Sequence, residues 1–163
     1  METITIICET GENITIPNNS LSGANLANLN LHRALLDGLD ISGADMSNTE
    51  LRSAWMEGAD FSSTNFQNSR LYACNATGSN FKFCNFENAG LSGGVFDKSD
   101  FTSANFTHAK LEGAHFSFAN LKGANLKDAD LKGADFRGAL ADSKTIWPDN
   151  FDANARGVIF CNV

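Results

Sequence analysis

Large apolar residues occur at every fifth position through most of the chain. The series runs from Leu21 to Phe136 without insertion or deletion, as 24 consecutive five-residue units, and only Ala76 among the central positions is small. A second small residue, most often alanine, lies two positions before most central residues. A period of five matches neither the 3.6-residue period of a helix nor the two-residue period of a strand. We therefore predict a chain that turns a corner every five residues and points its central side chains inward.

A longer period of 20 residues indicates how many corners complete one turn. Leucine recurs at this spacing on one phase, and phenylalanine recurs on three others. The residues are Leu31, Leu51, Leu71, Leu91, Leu111 and Leu131; Phe61, Phe81 and Phe101; Phe66, Phe86 and Phe106; and Phe96, Phe116 and Phe136. Identical residues 20 apart are expected to stack, so four units form one coil and the 24 units form about six coils. The pattern predicts an all-β fold, a four-sided parallel β-helix, and parallel crossovers are nearly always right-handed.

Glycine and asparagine are common at the second position after the central residue, as at Asn28, Gly38 and Gly58. These residue types accept a positive φ, which the second central residue of a type II turn requires. They are therefore predicted to lie at the corners of the coils.

The units resemble those of the pentapeptide-repeat family, whose pattern is A-(D/N)-L-x-x with a central Leu or Phe. The segments Gly-Ala-Asn-Leu at 23–26 and Gly-Ala-Asp-Phe at 58–61 carry this pattern, and the likeness extends over about residues 21–140. The segment Trp147 to Phe151 is also similar to the W-P-x-x-F ending of many cyanobacterial members. The resemblance implies a quadrilateral β-helix, and members without insert loops mostly have no assigned biochemical activity.

The two ends depart from the repeat and are predicted to cover the open edges of the β-helix, as terminal repeats of solenoids must be capped. We predict three parts: an N-terminal β cap over residues 1–20, the β-helix over 21–140, and a C-terminal cap over 141–163. Residues 1–17 alternate as expected for a short hairpin. The apolar residues of the C-terminal segment are expected to fold over the last coil or to form a dimer contact, as in gyrase-inhibiting relatives. They are Trp147, Phe151, Ile159 and Phe160.

The net charge is −7, and the excess lies in residues 1–60, which hold nine acidic and two basic residues. An acidic chain is a poor candidate for direct nucleic-acid binding and a better one for a basic partner. No apolar run approaches the ~18 residues of a membrane span, and the acidic, alternating N-terminus is unlike a signal peptide. The four cysteines lack the spacing of a zinc site and fit a reducing compartment. We expect a cytoplasmic protein without membrane association.

No pattern in the chain predicts catalysis. The three histidines, His32, His108 and His115, fall on three different walls and in different coils. No phosphate-binding loop or hydrolase motif is present, and a rod with a filled interior is expected to offer no pocket. We therefore expect a non-enzymatic protein with no catalytic residues, no metal site and no cofactor.

Two surface features remain as candidate sites. The first is an acidic ridge, six carboxylates that straddle one corner and are interrupted by Thr77 and Asn80: Asp37, Asp40, Glu57, Asp60, Asp97 and Asp100. It is either a solvated edge or a site for a basic partner or a cation. The second is an apolar stripe, Leu35, Trp55 and Val95, at positions where the family usually has Asp or Asn. It is either a partner-binding surface or a set of simply tolerated apolar residues that pack against a terminal segment.

The leading hypothesis is a structural or protein-interaction scaffold, a monomer or an end-to-end homodimer, whose partner is another protein. The alternative, implied by the resemblance to quinolone-resistance members, is a DNA mimic that binds or inhibits DNA gyrase or another topoisomerase. The basic residues of the later coils argue against it; they are Lys110, Lys122, Lys127, Lys132 and Arg137. A structural protein without a fixed partner also stays open.

Overall fold

The computed structural model describes residues 2–161, which form a β-helix. Met1, Asn162 and Val163, at the outer ends of the two predicted caps, lie outside the described residues. Parallel β-bridges join each residue that precedes a central position to the residue 20 further on, from Asn25↔Asp45 to Asn120↔Leu140. The 20-residue period of the sequence is therefore the period of the coil.

Each five-residue unit contributes one turn. The N–H group of the third residue after the central one donates to the central carbonyl, as in Ala24 to Leu21 at 3.1 Å. The second residue after the central one has a positive φ in every unit, from Gly23 to Gly138. These are the features of a type II turn, and their place is the one that the glycine and asparagine pattern predicts.

Backbone hydrogen bonds also join successive coils. In the regular pattern, the N–H group of the residue before a central position donates to the carbonyl 21 residues earlier, as Asp45 does to Ala24. The carbonyl of the same residue accepts a hydrogen bond from the N–H group of a central residue in the preceding coil, as Asp45 does from Leu26. Each coil thus fixes the backbone of the next, which leaves little freedom for local rearrangement.

The core is a column of central side chains. All central residues from Leu21 to Phe136 are buried, together with most of the small residues two positions earlier. The phenylalanine rings stack along the axis with nearly parallel planes, for example Phe66 on Phe86 with centroids 4.9 Å apart and an interplanar angle of 1°. Offset stacking at such distances adds to the free energy of burial.

The strands proper lie at the two ends. The N-terminal hairpin pairs β1 (Ile4–Ile6) with β2 (Ile14–Ile16) in antiparallel register. At the other end β3 (Leu140–Ala141) pairs in parallel with β4 (Ile159–Phe160). Beyond β3 the 20-residue register shifts by one, since Asn125 bridges to Ile146. Residues 2–161 contain no helix, and hence none long and apolar enough to cross a membrane.

Candidate functional site

The apolar stripe follows one wall of the β-helix near its N-terminal end. β-Bridges connect Leu35 to Trp55, Trp55 to Asn75, and Asn75 to Val95. Leu35 is 40 % and Trp55 is 41 % exposed, whereas Val95 is half-buried. The three predicted residues therefore lie in one line, with Asn75 interrupting it.

The segment after the hairpin strand β1 reaches the N-terminal end of this stripe. The carboxylate of Glu9 forms an ion pair with Arg33 at 2.7 Å and accepts a hydrogen bond from Trp55 Nε1 at 3.4 Å. Hydrogen bonds from Arg33 and Trp55 lower the pKa of Glu9. Contact with a terminal segment, the alternative that the sequence left open, is thus present at the indole edge of Trp55, while much of the side chain remains exposed.

The acidic ridge falls into two groups in the structure. Asp40 and Asp60 are joined by a β-bridge in the first coils, and Asp100 lies beyond Asn80 on the same line. Asp100 forms an ion pair with Lys82 at 3.4 Å. Within residues 2–161, the remaining ridge carboxylates form no ion pair: Asp37, Asp40, Glu57, Asp60 and Asp97.

The aspartates that precede a central residue stabilise the turns. Their Oδ1 atoms accept a hydrogen bond from the backbone N–H group two residues later. The N···Oδ1 distances are 3.0 Å from Ser42 to Asp40, 2.9 Å from Ser62 to Asp60, and 2.9 Å from Thr102 to Asp100. This Asx-turn geometry explains why the position favours Asp and Asn. It gives the ridge a structural role that the sequence pattern alone did not reveal.

These hydrogen bonds lower the pKa values of several carboxyl groups. Hydrogen bonds from Ser42 lower the pKa of Asp40, and hydrogen bonds from Ser47 lower that of Asp45. Burial pushes the pKa of Asp100 upward, but hydrogen bonds from Thr102 and the charge of Lys82 bring it below its ordinary value. In each case the folded state favours the charged form.

The free energy of unfolding is therefore expected to depend on pH. Because the folded-state pKa values lie below the unfolded value of about 3.9, the stabilisation is complete at neutral pH and is lost as the pH falls below about 4. Urea unfolding at a series of pH values from about 7 down to about 3 should show this decline. In the triple variant Asp40→Asn, Asp45→Asn and Asp100→Asn, the amide oxygens keep the turn acceptors but do not titrate. We expect a shallower decline for this variant, and an equal decline would contradict the assignment.

The C-terminal residues named from the sequence separate into two pairs. Trp147 and Phe151 pack edge-to-face on Phe136, the central residue of the last five-residue unit, at centroid distances of 5.5 and 5.6 Å. Ile159 and Phe160 form β4, and their side chains are exposed. The first pair therefore contacts the core, and the second is available on the surface.

The thiols and imidazoles do not converge on a site. Cys74 and Cys84 occupy the small inward position, and burial raises the pKa of Cys74 to about 12. Burial likewise raises the pKa of Cys84. Within residues 2–161, no three His, Cys, Asp or Glu side chains gather closely enough to hold a metal ion.

A groove at the N-terminal end departs from the expectation of a filled rod without a pocket. It has a volume of about 450 Å³ and lies between β1 and the first coil. Its lining residues are Ile4, Thr5, Ile6, Ile7, Asn19, Ser20, Leu21, Leu35, Leu39 and Asp40. The apolar stripe thus opens at Leu35 into a concave surface.

Comparison with protein families identifies the repeat. A model described as "Pentapeptide repeats" matches in eight copies over residues 20–52, 54–93 and 99–138, which is more than half of the chain. The chain belongs to the pentapeptide-repeat family. No curated protein matches the chain significantly.

Solved structures of other pentapeptide-repeat proteins are similar. A trypsin-treated variant of QnrB1, a plasmid-mediated fluoroquinolone resistance protein, is 19 % identical, with 90 % of this chain and 88 % of that chain covered and a TM-score of 0.51. A pentapeptide repeat protein from Nostoc Pcc 7120 is 25 % identical over 84 % of both chains, with a TM-score of 0.35. The protein Rfr23 from the cyanobacterium Cyanothece 51142 is 26 % identical over 78 % of this chain and 87 % of that chain, with a TM-score of 0.36. The likeness to QnrB1 concerns the fold alone.

Proposed function

We propose that this pentapeptide-repeat protein is a non-enzymatic scaffold that binds another protein through the wall carrying Leu35, Trp55 and Val95. The observation that carries the proposal is the exposure of Leu35 and Trp55 on adjacent coils, where a parallel β-bridge joins the two residues. Exposed aromatic and aliphatic side chains in line are typical anchors of protein interfaces. The β-helix that presents them is inferred to be right-handed and four-sided, with about six coils.

The rest of the molecule supports a binding role without catalysis. Its interior is filled by stacked side chains, and the lining of the N-terminal groove contains one carboxylate but no histidine or cysteine. Catalytic sites require convergent acid, base or nucleophilic groups.

The three parts, residues 1–20, 21–140 and 141–163, remain our proposed division of the chain.

Partner capture with two variants tests the scaffold proposal. Trp55→Lys and Leu35→Lys place charges on the stripe at exposed positions, so the fold should be retained. We expect loss of the captured partner in both variants. Phe83→Lys is the matched control, because Phe83 is 62 % exposed on another part of the surface. Capture that survives both stripe substitutions would exclude the stripe as the site.

The aligned carboxylates of Asp40 and Asp60 support a second candidate, a DNA mimic that binds DNA gyrase or a related topoisomerase. Mimicry requires regularly spaced negative charge. Inhibition of gyrase supercoiling that is lost on changing Asp40, Asp60 and Asp100 to Asn would favour this function over the scaffold. Absence of inhibition would remove it.

A further inference from the structure

The N-terminal groove coincides with a gap in the ladder of backbone hydrogen bonds. The regular pattern would join the Asp40 N–H group to the Asn19 carbonyl, and the Leu21 N–H group to the Asp40 carbonyl. Neither hydrogen bond is present among residues 2–161. Within the described part of the chain, Asp40 therefore offers an unpaired donor and an unpaired acceptor at the groove that it lines. Such an edge is a template for an added strand.

The neighbouring side chains give this edge an apolar surface. Leu39 is 38 % exposed, Leu35 is 40 % exposed, and both line the groove with Ile7, which is 46 % exposed. Leu35 is itself held in place, since its N–H group donates to the Ile7 carbonyl at 2.8 Å. Apolar area is thus presented beside the open backbone groups on a fixed frame.

The charge around the groove selects the chemistry of its occupant. Asp40 lines the groove, and Asp37 lies on the turn between Leu35 and Leu39. The Oδ1 atom of Asp37 accepts a hydrogen bond from the Glu57 N–H group at 2.6 Å. Asp37, Asp40 and Glu57 form no ion pair within the described part of the chain. The whole net charge of −7 also belongs to residues 1–60. The groove therefore favours a cationic partner.

We propose that the groove binds an extended segment of a partner protein in which basic and apolar residues alternate. The segment adds as a strand to the Asp40 edge, where its backbone pairs with the free N–H and C=O groups. Because side chains alternate along a strand, one set contacts Leu35, Leu39 and Ile7 while lysine or arginine meets the carboxylates. The inference rests on the scaffold function and specifies its binding mode.

A labelled short peptide that alternates lysine and valine is the probe, with binding followed by fluorescence anisotropy. We expect it to bind the wild-type protein. Matched peptides that replace lysine by glutamate, or valine by serine, should not bind, and backbone N-methylation along one edge should also abolish binding. Leu39→Ser and Asp40→Asn should each weaken binding by about tenfold, which corresponds to about 1.4 kcal/mol. Phe83→Ser, which alters an exposed residue outside both the stripe and the groove lining, should bind like wild type.

Amide hydrogen exchange locates the contact. The Asp40 N–H group should become protected when the lysine–valine peptide binds. Unchanged exchange at Asp40, equal binding of the N-methylated peptide, or unchanged affinity of the Leu39→Ser variant would each overturn strand addition. If partner capture still depends on Trp55 while Leu39→Ser has no effect on it, the scaffold function stands and the groove proposal fails. Self-association that requires Leu39, measured by sedimentation without peptide, would make the groove an interface between copies and would also overturn the proposal.

Discussion

Replacing Phe81 by alanine is expected to lower the free energy of unfolding by about 3–5 kcal/mol, the range for buried phenylalanine. The Phe81 ring lies in the middle of the column, stacked on Phe61 at 5.2 Å and on Phe101 at 4.9 Å. Phe66 and Phe86 contact its edges. The coil ladder holds the surrounding backbone in place, so the cavity cannot collapse. Urea unfolding at constant slope measures the loss.

Phe83→Ala is the control for this prediction. Phe83 lies two residues further along the same turn but is 62 % exposed. Its φ of 59° is as unfavourable for alanine as for phenylalanine, so we expect a change within about 0.5 kcal/mol, as for surface substitutions generally. Equal losses for the two variants would show that the stacked column does not dominate stability.

The burial of the core follows directly from the sequence, because the five-residue period leaves one choice of inward face. Backbone conformation at the corners is predictable only where glycine or asparagine marks it. Arg33, Phe83 and Lys98 adopt the same positive φ without any such marker. At these positions the hydrogen bonds between coils impose the turn, and they override the preference of the residue type for a negative φ. These positions could be assigned from the period but not from residue type.

The groove was harder to foresee, although one signal was available. Leu39 lies two positions before the central Ile41, where later units on the same wall have Ala59, Ser79 and Ser99. A large side chain at this position does not fit beneath another coil. In the first coil no complete coil lies below it, and Leu39 instead lines the groove. The missing hydrogen bonds at Asp40 leave no mark in the sequence, since they depend on how the entering chain approaches.

At the C-terminal end, Trp147→Ala is expected to lower the free energy of unfolding by about 2–3 kcal/mol, less than for a fully buried ring. Trp147 covers Phe136 and stacks on Phe151 at 5.0 Å, so its loss exposes the end of the core. Its buried Nε1 atom has no hydrogen-bond partner within residues 2–161. Trp147→Phe keeps the aromatic cover and removes this unpaired donor, and we expect little or no loss of stability from it.

Two further measurements distinguish a cap from a dimer contact at this end. If Trp147 and Phe151 close the core of a single chain, the unfolding midpoint of the wild type is independent of protein concentration, because no association accompanies folding. Phe160→Ala, which alters an exposed residue of β4, should then change neither stability nor sedimentation. A concentration-dependent midpoint that Phe160→Ala abolishes would instead assign this end to an end-to-end homodimer. In that case the stability lost in Trp147→Ala would include the free energy of association, since the aromatic cluster supports the strand that the second copy contacts.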